Sequence, residues 1–290
     1  MIPEVKELIY RFDQLDYVVE EELATVIFLM LMMEKPLLLE GPPGVGKTEV
    51  ANIIAHYRGY ELIRLQCYEG LDVSTSVYEW NYQKQLLHIK LNEKGKISAQ
   101  EQEKVIFSDE FLLKRPLLKA ITSDKPAVLL LDEIDRADEE FEAFLLELLS
   151  DFQISIPELG TIKAKHKPVV ILTSNRTRDL SDALKRRCLY YWVDFPTFDK
   201  ELAILEKRVG GEVVMLRQLV KFIGYLRGQN LQKTPGVAET IDWARALITL
   251  NTTSLTQESI DSTLGCILKS QKDIDEIRHS ITNILEDISA

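Results

Sequence analysis

Residues 41–48 read GPPGVGKT and fit the spacing G-x-x-x-x-G-K-[ST]. Glycines at these places let the backbone curl so that its N–H groups face phosphate oxygens. A helix starting there adds the positive end of its dipole. Lys47 would reach the β- and γ-phosphates of ATP, and the Thr48 hydroxyl would ligate Mg2+. The candidate nucleotide-binding set is Gly41, Pro42, Pro43, Gly44, Val45, Gly46, Lys47, Thr48 and Glu49, with Tyr17 and Val18 as candidate contacts to the adenine. A second cluster lies further on, where the apolar run Val128 to Leu131 ends in Asp132, Glu133 and Asp135. Desolvating charge is expensive, so something positive should meet these carboxylates. If their strand lies beside the strand that feeds the phosphate loop, Asp132 faces the same Mg2+ and holds it directly or through water. Glu133 can then orient and deprotonate an attacking water. Mg2+ and Lys47 would offset the acidic charge. Asp135 fits either a turn cap or a contact to a neighbouring subunit.

Other residues complete such a site. The run VVILTSN ends in Ser174 and Asn175, and an amide there could hold the lytic water together with Glu133. Phosphoryl transfer also needs an arginine to offset transition-state charge. Arg186 and Arg187, in SDALKRRC, are the candidates, and a role for either in a neighbouring subunit would imply a ring. Gln66 could hold Glu133 away from water, or be an ordinary polar strand residue. Tyr78, Trp80 and Tyr82 alternate, as a half-buried hairpin face or as a grip on a bound protein. The four histidines stand apart, so no metal cluster is expected.

The elements that position these residues alternate. Strands are predicted over 36–40, 60–67, 127–132, 167–175 and 188–195, with helices between them, including 138–151. That pattern gives an α/β fold with a parallel sheet. The stretch QISIPELGTIKAKH alternates around Pro157 and Gly160 and reads as a hairpin. The apolar run Ala24 to Met33 reads as a buried helix, since ten residues fall short of the roughly twenty needed to span a bilayer. From Asp199 onward helical periodicity dominates. The expected organisation is an α/β nucleotide-binding domain over 1–198 and a smaller all-helical lid over 199–290.

Composition narrows the partners. A net charge of −11 in 290 residues argues against non-specific coating of nucleic acid. The odd number of cysteines, Cys67, Cys188 and Cys266, carries no disulfide framework and suits a reducing cytoplasm. The N-terminus has no signal-peptide pattern.

In the order GPPGVGKT, LLLDEID, ILTSN and ALKRRC, followed by a helical stretch, the chain resembles an AAA+ ATPase. More narrowly it resembles the MoxR branch, and within it the CoxD type, associated with maturation of carbon monoxide dehydrogenase. The phrases RLQCYEGLD, VYEWNYQKQLLHIKL, DFQISIPELGTIKA, TSNRTRDLSDALKRRCLYYWVDFP and PGVAETIDWARAL carry that likeness. It implies a hexameric ring ATPase that commonly acts with a von Willebrand factor A domain protein and remodels or activates a client, such as a molybdenum hydroxylase. It implies Walker A roles for Lys47 and Thr48, Walker B roles for Asp132 and Glu133, sensor 1 for Asn175, and an arginine finger at Arg187, with Arg186 as rival. It also places the 78–88 insert and the hairpin at the ring pore. One departure stands out. Gly236 or Glu239 lies where a sensor 2 arginine is common, and Arg245 is about two turns later. A nucleotide-gated scaffold with incidental hydrolysis and a DNA-directed ring ATPase are the alternatives.

Overall fold

The computed structural model describes residues 2–92 and 99–289. The chain forms two compact units. One comprises Thr25–Glu40 and Thr48–Trp192; the other comprises Met1–Ala24, Gly41–Lys47 and Val193–Ala290.

Among its described residues the first unit carries nine strands: β1 (Leu37–Glu40), β2 (Glu61–Gln66), β3 (Tyr78–Trp80), β4 (Leu112–Lys114), β5 (Ala127–Asp132), β6 (Gln153–Ile156), β7 (Gly160–Lys163), β8 (Val169–Ser174) and β9 (Leu189–Trp192). Five form a parallel sheet in the order β2-β5-β8-β1-β9. β1 and β5 are buried along their whole length, which explains their near-continuous apolar runs. Parallel strands end on one edge, and ligands of open α/β sheets bind outside that edge. Gln66 pairs with Asp132 in register, and Glu40 with Ser174.

One expectation is corrected here. β5 does not neighbour β1; β8 lies between them. Both β5 and β8 are apolar central strands, so their residues alone do not say which one flanks β1. The intervening strand is the one that brings Asn175 to the acids.

The core of this unit packs Leu129, Leu131 and Leu172 against the helices Pro116–Thr122 and Glu139–Asp151. The second helix follows the predicted 138–151 closely. Asp138 caps it, its carboxylate accepting the Phe141 N–H at 2.8 Å. Burying each leucine of this core contributes roughly 2 kcal/mol relative to exposure. β6 and β7 form the expected antiparallel hairpin. β3 pairs with the distant β4, so the aromatic alternation ends early. Trp80 is buried edge-on to Phe107, whereas Tyr82 opens the helix Tyr82–Asn92 and is 62% exposed.

Residues Ala24 to Met33 lie in the helix Glu21–Met33, but only one face is buried. Leu23, Ala24, Ile27 and Met30 are inside, whereas Leu29, Met32 and Met33 are exposed. No described helix is long and apolar enough to cross a membrane.

In the second unit the stretch after Phe198 is all-helical, with Phe198–Arg208, Val213–Arg227, Val237–Thr249, Gln257–Thr263, Gln271–Arg278 and Ile281–Ser289. Trp243 sits fully buried against Phe222, and its indole N–H donates to Thr263 Oγ1 at 2.7 Å. A buried fork joins Arg227 to Glu201 at 2.6 and 2.8 Å. The same guanidinium lies over the Phe195 ring and donates to the Pro235 carbonyl at 3.0 Å.

Candidate nucleotide site

The phosphate-loop residues 41–47 follow β1 and lead into the helix Lys47–Arg58. Gly44 has φ +80° and Gly46 φ +93°, a region that favours glycine. Lys47 is buried and donates to the carbonyls of Gly41 at 2.8 Å and Pro42 at 2.7 Å.

At the carboxyl edge of the sheet the three acids share a network of partners, Thr173 serving Asp132 and Glu133, and Asn175 serving Glu133 and Asp135. Asp132 is 3% exposed. Its Oδ1 accepts the hydroxyls of Thr48 at 3.0 Å and Thr173 at 2.5 Å, and its Oδ2 is ion-paired with Arg64. A hydroxyl and a carboxylate side by side are hard oxygen donors that fit Mg2+, which takes its remaining ligands from phosphate and water. Among the described residues no group of three or more His, Cys, Asp or Glu side chains could hold a metal by itself.

Glu133 adopts a left-handed backbone, φ 56° and ψ 51°. A non-glycine residue there costs on the order of 1–3 kcal/mol and persists when its surroundings impose it. Its N–H donates to Thr173 Oγ1 at 2.9 Å. Its carboxylate accepts the Asn175 amide at 3.2 Å and the Gln66 amide at 3.1 Å, and it pairs with Arg136 at 2.8 Å. Of the two readings of Gln66, the one with a contact to Glu133 is the one present.

Asp135 is buried and faces the turn after β8. It accepts the Asn175 N–H at 3.2 Å, the Thr177 N–H at 2.9 Å and the Thr177 hydroxyl at 2.7 Å. Burial pushes its carboxyl up, but these hydrogen bonds outweigh that and hold it below the ordinary aspartate value. Within the chain, then, Asp135 pins the turn that carries Asn175. Cys67 lies behind the acids; burial first, then their charge, pushes its thiol up to about 12 and keeps it neutral. Burial does the same for Cys188, in line with both being fillers.

The charge that meets the acids thus includes Arg64 and Arg136, neither of which stands out in the sequence. Arg64 occupies an outward position of an alternating strand and reads as an ordinary polar residue. Its two-residue offset from Gln66, which puts both on one face, is the signal that could have found it.

The two finger candidates differ. Arg187 Nε donates to Ser150 Oγ at 2.5 Å and its Nη1 to the Ala183 carbonyl at 2.8 Å. Arg186 is exposed, and among the described residues its side chain makes no such contact. Tyr17 packs edge-on to Phe12, and both Tyr17 and Val18 are half-buried.

In the second unit, the helix Val237–Thr249 begins against the phosphate loop. The Val237 N–H donates to the Gly44 carbonyl at 2.8 Å. A Cβ on Gly236 would lie 2.7 Å from Gly44 Cα and 2.8 Å from Gly44 O. Glu239 accepts the Gly236 N–H at 3.1 Å, the half of a capping box that a glycine N-cap permits. Arg245 is exposed and faces Asp242 at 3.9 Å.

Residues 36–188 match the family model for an AAA domain of the dynein-related subfamily. An uncharacterized protein of Staphylococcus epidermidis is 27% identical over 230 residues, covering 77% of this chain and 79% of its own length. One of Staphylococcus haemolyticus is 26% identical over 261 residues, covering 86% and 90%. Among solved structures, a mutant of RuvB from Thermotoga maritima aligns with a TM-score of 0.51 at 19% identity, over 90% of this chain and 71% of that one. That likeness shows the fold.

Proposed function

The chain belongs to the AAA domain family, dynein-related subfamily, and we propose that this ATPase couples hydrolysis of Mg-ATP, in an oligomeric ring, to remodelling of a client protein. The observation that carries the reading is the convergence of Thr48, Asp132, Glu133 and Asn175 at one end of a parallel sheet. Residues 41–49 cradle the nucleotide, with Lys47 on its terminal phosphates and Tyr17 and Val18 towards its base. Thr48 and Asp132 hold Mg2+. The chemistry that this ion supplies when bound is neutralisation of charge on the phosphate oxygens. Glu133 takes the proton of the attacking water, and Asn175 shares in orienting that water. An arginine of a neighbouring subunit offsets transition-state charge. The resemblance points to Arg187, but its contacts within the chain favour Arg186 as the side chain that reaches across.

The finer assignment rests on the MoxR and CoxD resemblance. It comprises a cytoplasmic hexamer with a core at 1–198 and a lid at 199–290, a von Willebrand factor A domain partner, and a client that is a metalloenzyme such as a molybdenum hydroxylase. The test is to purify Glu133→Gln with ATP and compare it with Lys47→Ala. ATP-dependent assembly, retaining a von Willebrand factor A domain protein, is the expected result. No assembly with ATP in either variant would sink the ring reading.

A second reading, a nucleotide-gated scaffold, gains support from the three partners that hold Glu133, since they favour slow turnover. Client activation that persists in Glu133→Gln would select it. The net charge of −11 counts against a DNA-directed motor.

A further inference from the structure

We propose that Arg64 is a resident counter-ion of Asp132 that Mg2+ must displace, and that its departure loosens the hold of Gln66 on Glu133. The inference rests on the reading of Thr48 and Asp132 as Mg2+ ligands and deepens it. Arg64 and Gln66 lie two residues apart on β2 and so share one face of the sheet. Gln66 is the register partner of Asp132, which brings the Arg64 head diagonally across to the same carboxylate.

The carboxylate has two oxygens with different neighbours. Oδ1 is occupied by the hydroxyls of Thr48 and Thr173. Oδ2 is the oxygen that Arg64 engages. A divalent ion approaching Thr48 and Asp132 meets the guanidinium at this carboxylate, and two cations so close repel each other. The Arg64 side chain is 53% exposed, so it can swing into water without leaving a buried charge behind. Asp132, at 4%, cannot.

Arg64 also sets the direction of Gln66. The same Nη2 donates to Gln66 Oε1 at 2.7 Å, so the amide must turn its Nε2 the other way. That nitrogen donates to Glu133 Oε2 at 3.1 Å. One side chain therefore links the metal ligand to the orientation of the group that holds the general base. When Arg64 leaves Asp132, the Gln66 amide loses the donor that fixes it, and Glu133 loses a well-directed partner. Arg64 is a positioning residue in this scheme, since it acts through Asp132 and Gln66.

The experiment is a Mg2+ titration of the binding of a fluorescent ATP analogue to wild type, Arg64→Ala, Arg64→Lys and Arg58→Ala. Arg58 lies over the Tyr60 ring and serves as an equal loss of charge elsewhere on the unit. Removing a charge-assisted hydrogen bond from Asp132 should lower the Mg2+ concentration for half-saturation about tenfold in Arg64→Ala. Arg64→Lys, a point charge without the fork, should fall between. Arg58→Ala should match wild type, and binding of the analogue in chelator should be the same in all four. Should Arg64→Ala fail to fold, Arg64→Gln removes the charge and keeps a donor near Gln66, and the same shift is expected. Equal Mg2+ requirements in wild type and the Arg64 variants overturn the inference, as does an equal shift in Arg58→Ala. If binding to wild type itself shows no dependence on Mg2+, the underlying Mg-ATP reading falls, and this inference falls with it.

Discussion

The Asn175 amide donates to the Glu133 carboxylate at 3.2 Å, across the boundary between two neighbouring parallel strands. The contact unites the proposed general base with the polar group proposed to orient the attacking water. Glu133→Gln should lower ATP turnover by at least about 100-fold, the usual scale for loss of a general base. ATP affinity should stay close to that of wild type. Asn175→Ala should lower turnover less and also leave affinity intact. A coupled phosphate-release assay beside calorimetry separates the two effects. Loss of affinity in Glu133→Gln would contradict the assignment.

The two neighbouring arginines should part company. Arg186→Ala should keep its thermal stability and lose turnover by about 1,000-fold or more in the assembled form, the scale of an arginine finger. Arg187→Ala should be less stable by about 1 kcal/mol for the lost contacts to Ser150 and Ala183. Mixing experiments decide the matter, because Arg186→Ala subunits should be rescued by neighbours that supply the arginine. If only Arg187→Ala loses turnover while unfolding like wild type, the roles are reversed.

Asp135 has a carboxyl held below its ordinary value, so it stabilises the fold when ionised. That stability is fully present above the unfolded-state value, about pH 3.9. It is lost as pH falls through the lower folded value. Asp135→Asn should therefore be less stable at pH 7 by about 1–3 kcal/mol. Its stability should also fall less steeply than that of wild type below about pH 4. Urea unfolding at several pH values measures both. Parallel curves for the two proteins in acid would show that Asp135 does not contribute.

Gly236 leaves no room for a Cβ against Gly44. Gly236→Ala should push the start of its helix off the phosphate loop and cost about 1–3 kcal/mol in stability, the scale of overpacking. Nucleotide affinity, read by calorimetry, should fall with it. Gly265→Ala, at a position with open space, is the control and should bind as wild type does. Unchanged affinity in Gly236→Ala would mean that the backbone contact does not shape the loop.

Much of this was legible in the residues. GPPGVGKT announced the loop and the helix after it, because glycine, lysine and threonine at that spacing serve one chemistry. The strands that lead to Asp132 and Asn175 were readable from apolar runs that stop at polar groups. The Pro157–Gly160 turn named its hairpin. What stayed hidden is non-local. Periodicity along a chain does not say that β8 separates β5 from β1. Arg64 looks like any outward residue of an alternating strand until its register with Asp132 is known. Gly236 looks like a missing sensor arginine, and only three dimensions reveal that its lack of a side chain admits the loop carbonyl to the Val237 N–H. The partners of Asp135 come from a segment about forty residues away, too far for a local pattern to carry.

The left-handed backbone at Glu133 gives that position two masters. A glycine would relax the chain there, since it pays no Cβ penalty, and would erase the chemistry at the same stroke. Selection for robustness alone would drift away from glutamate at residue 133. That glutamate sits in so uncomfortable a posture, steadied from several sides, is what the role proposed for it would account for.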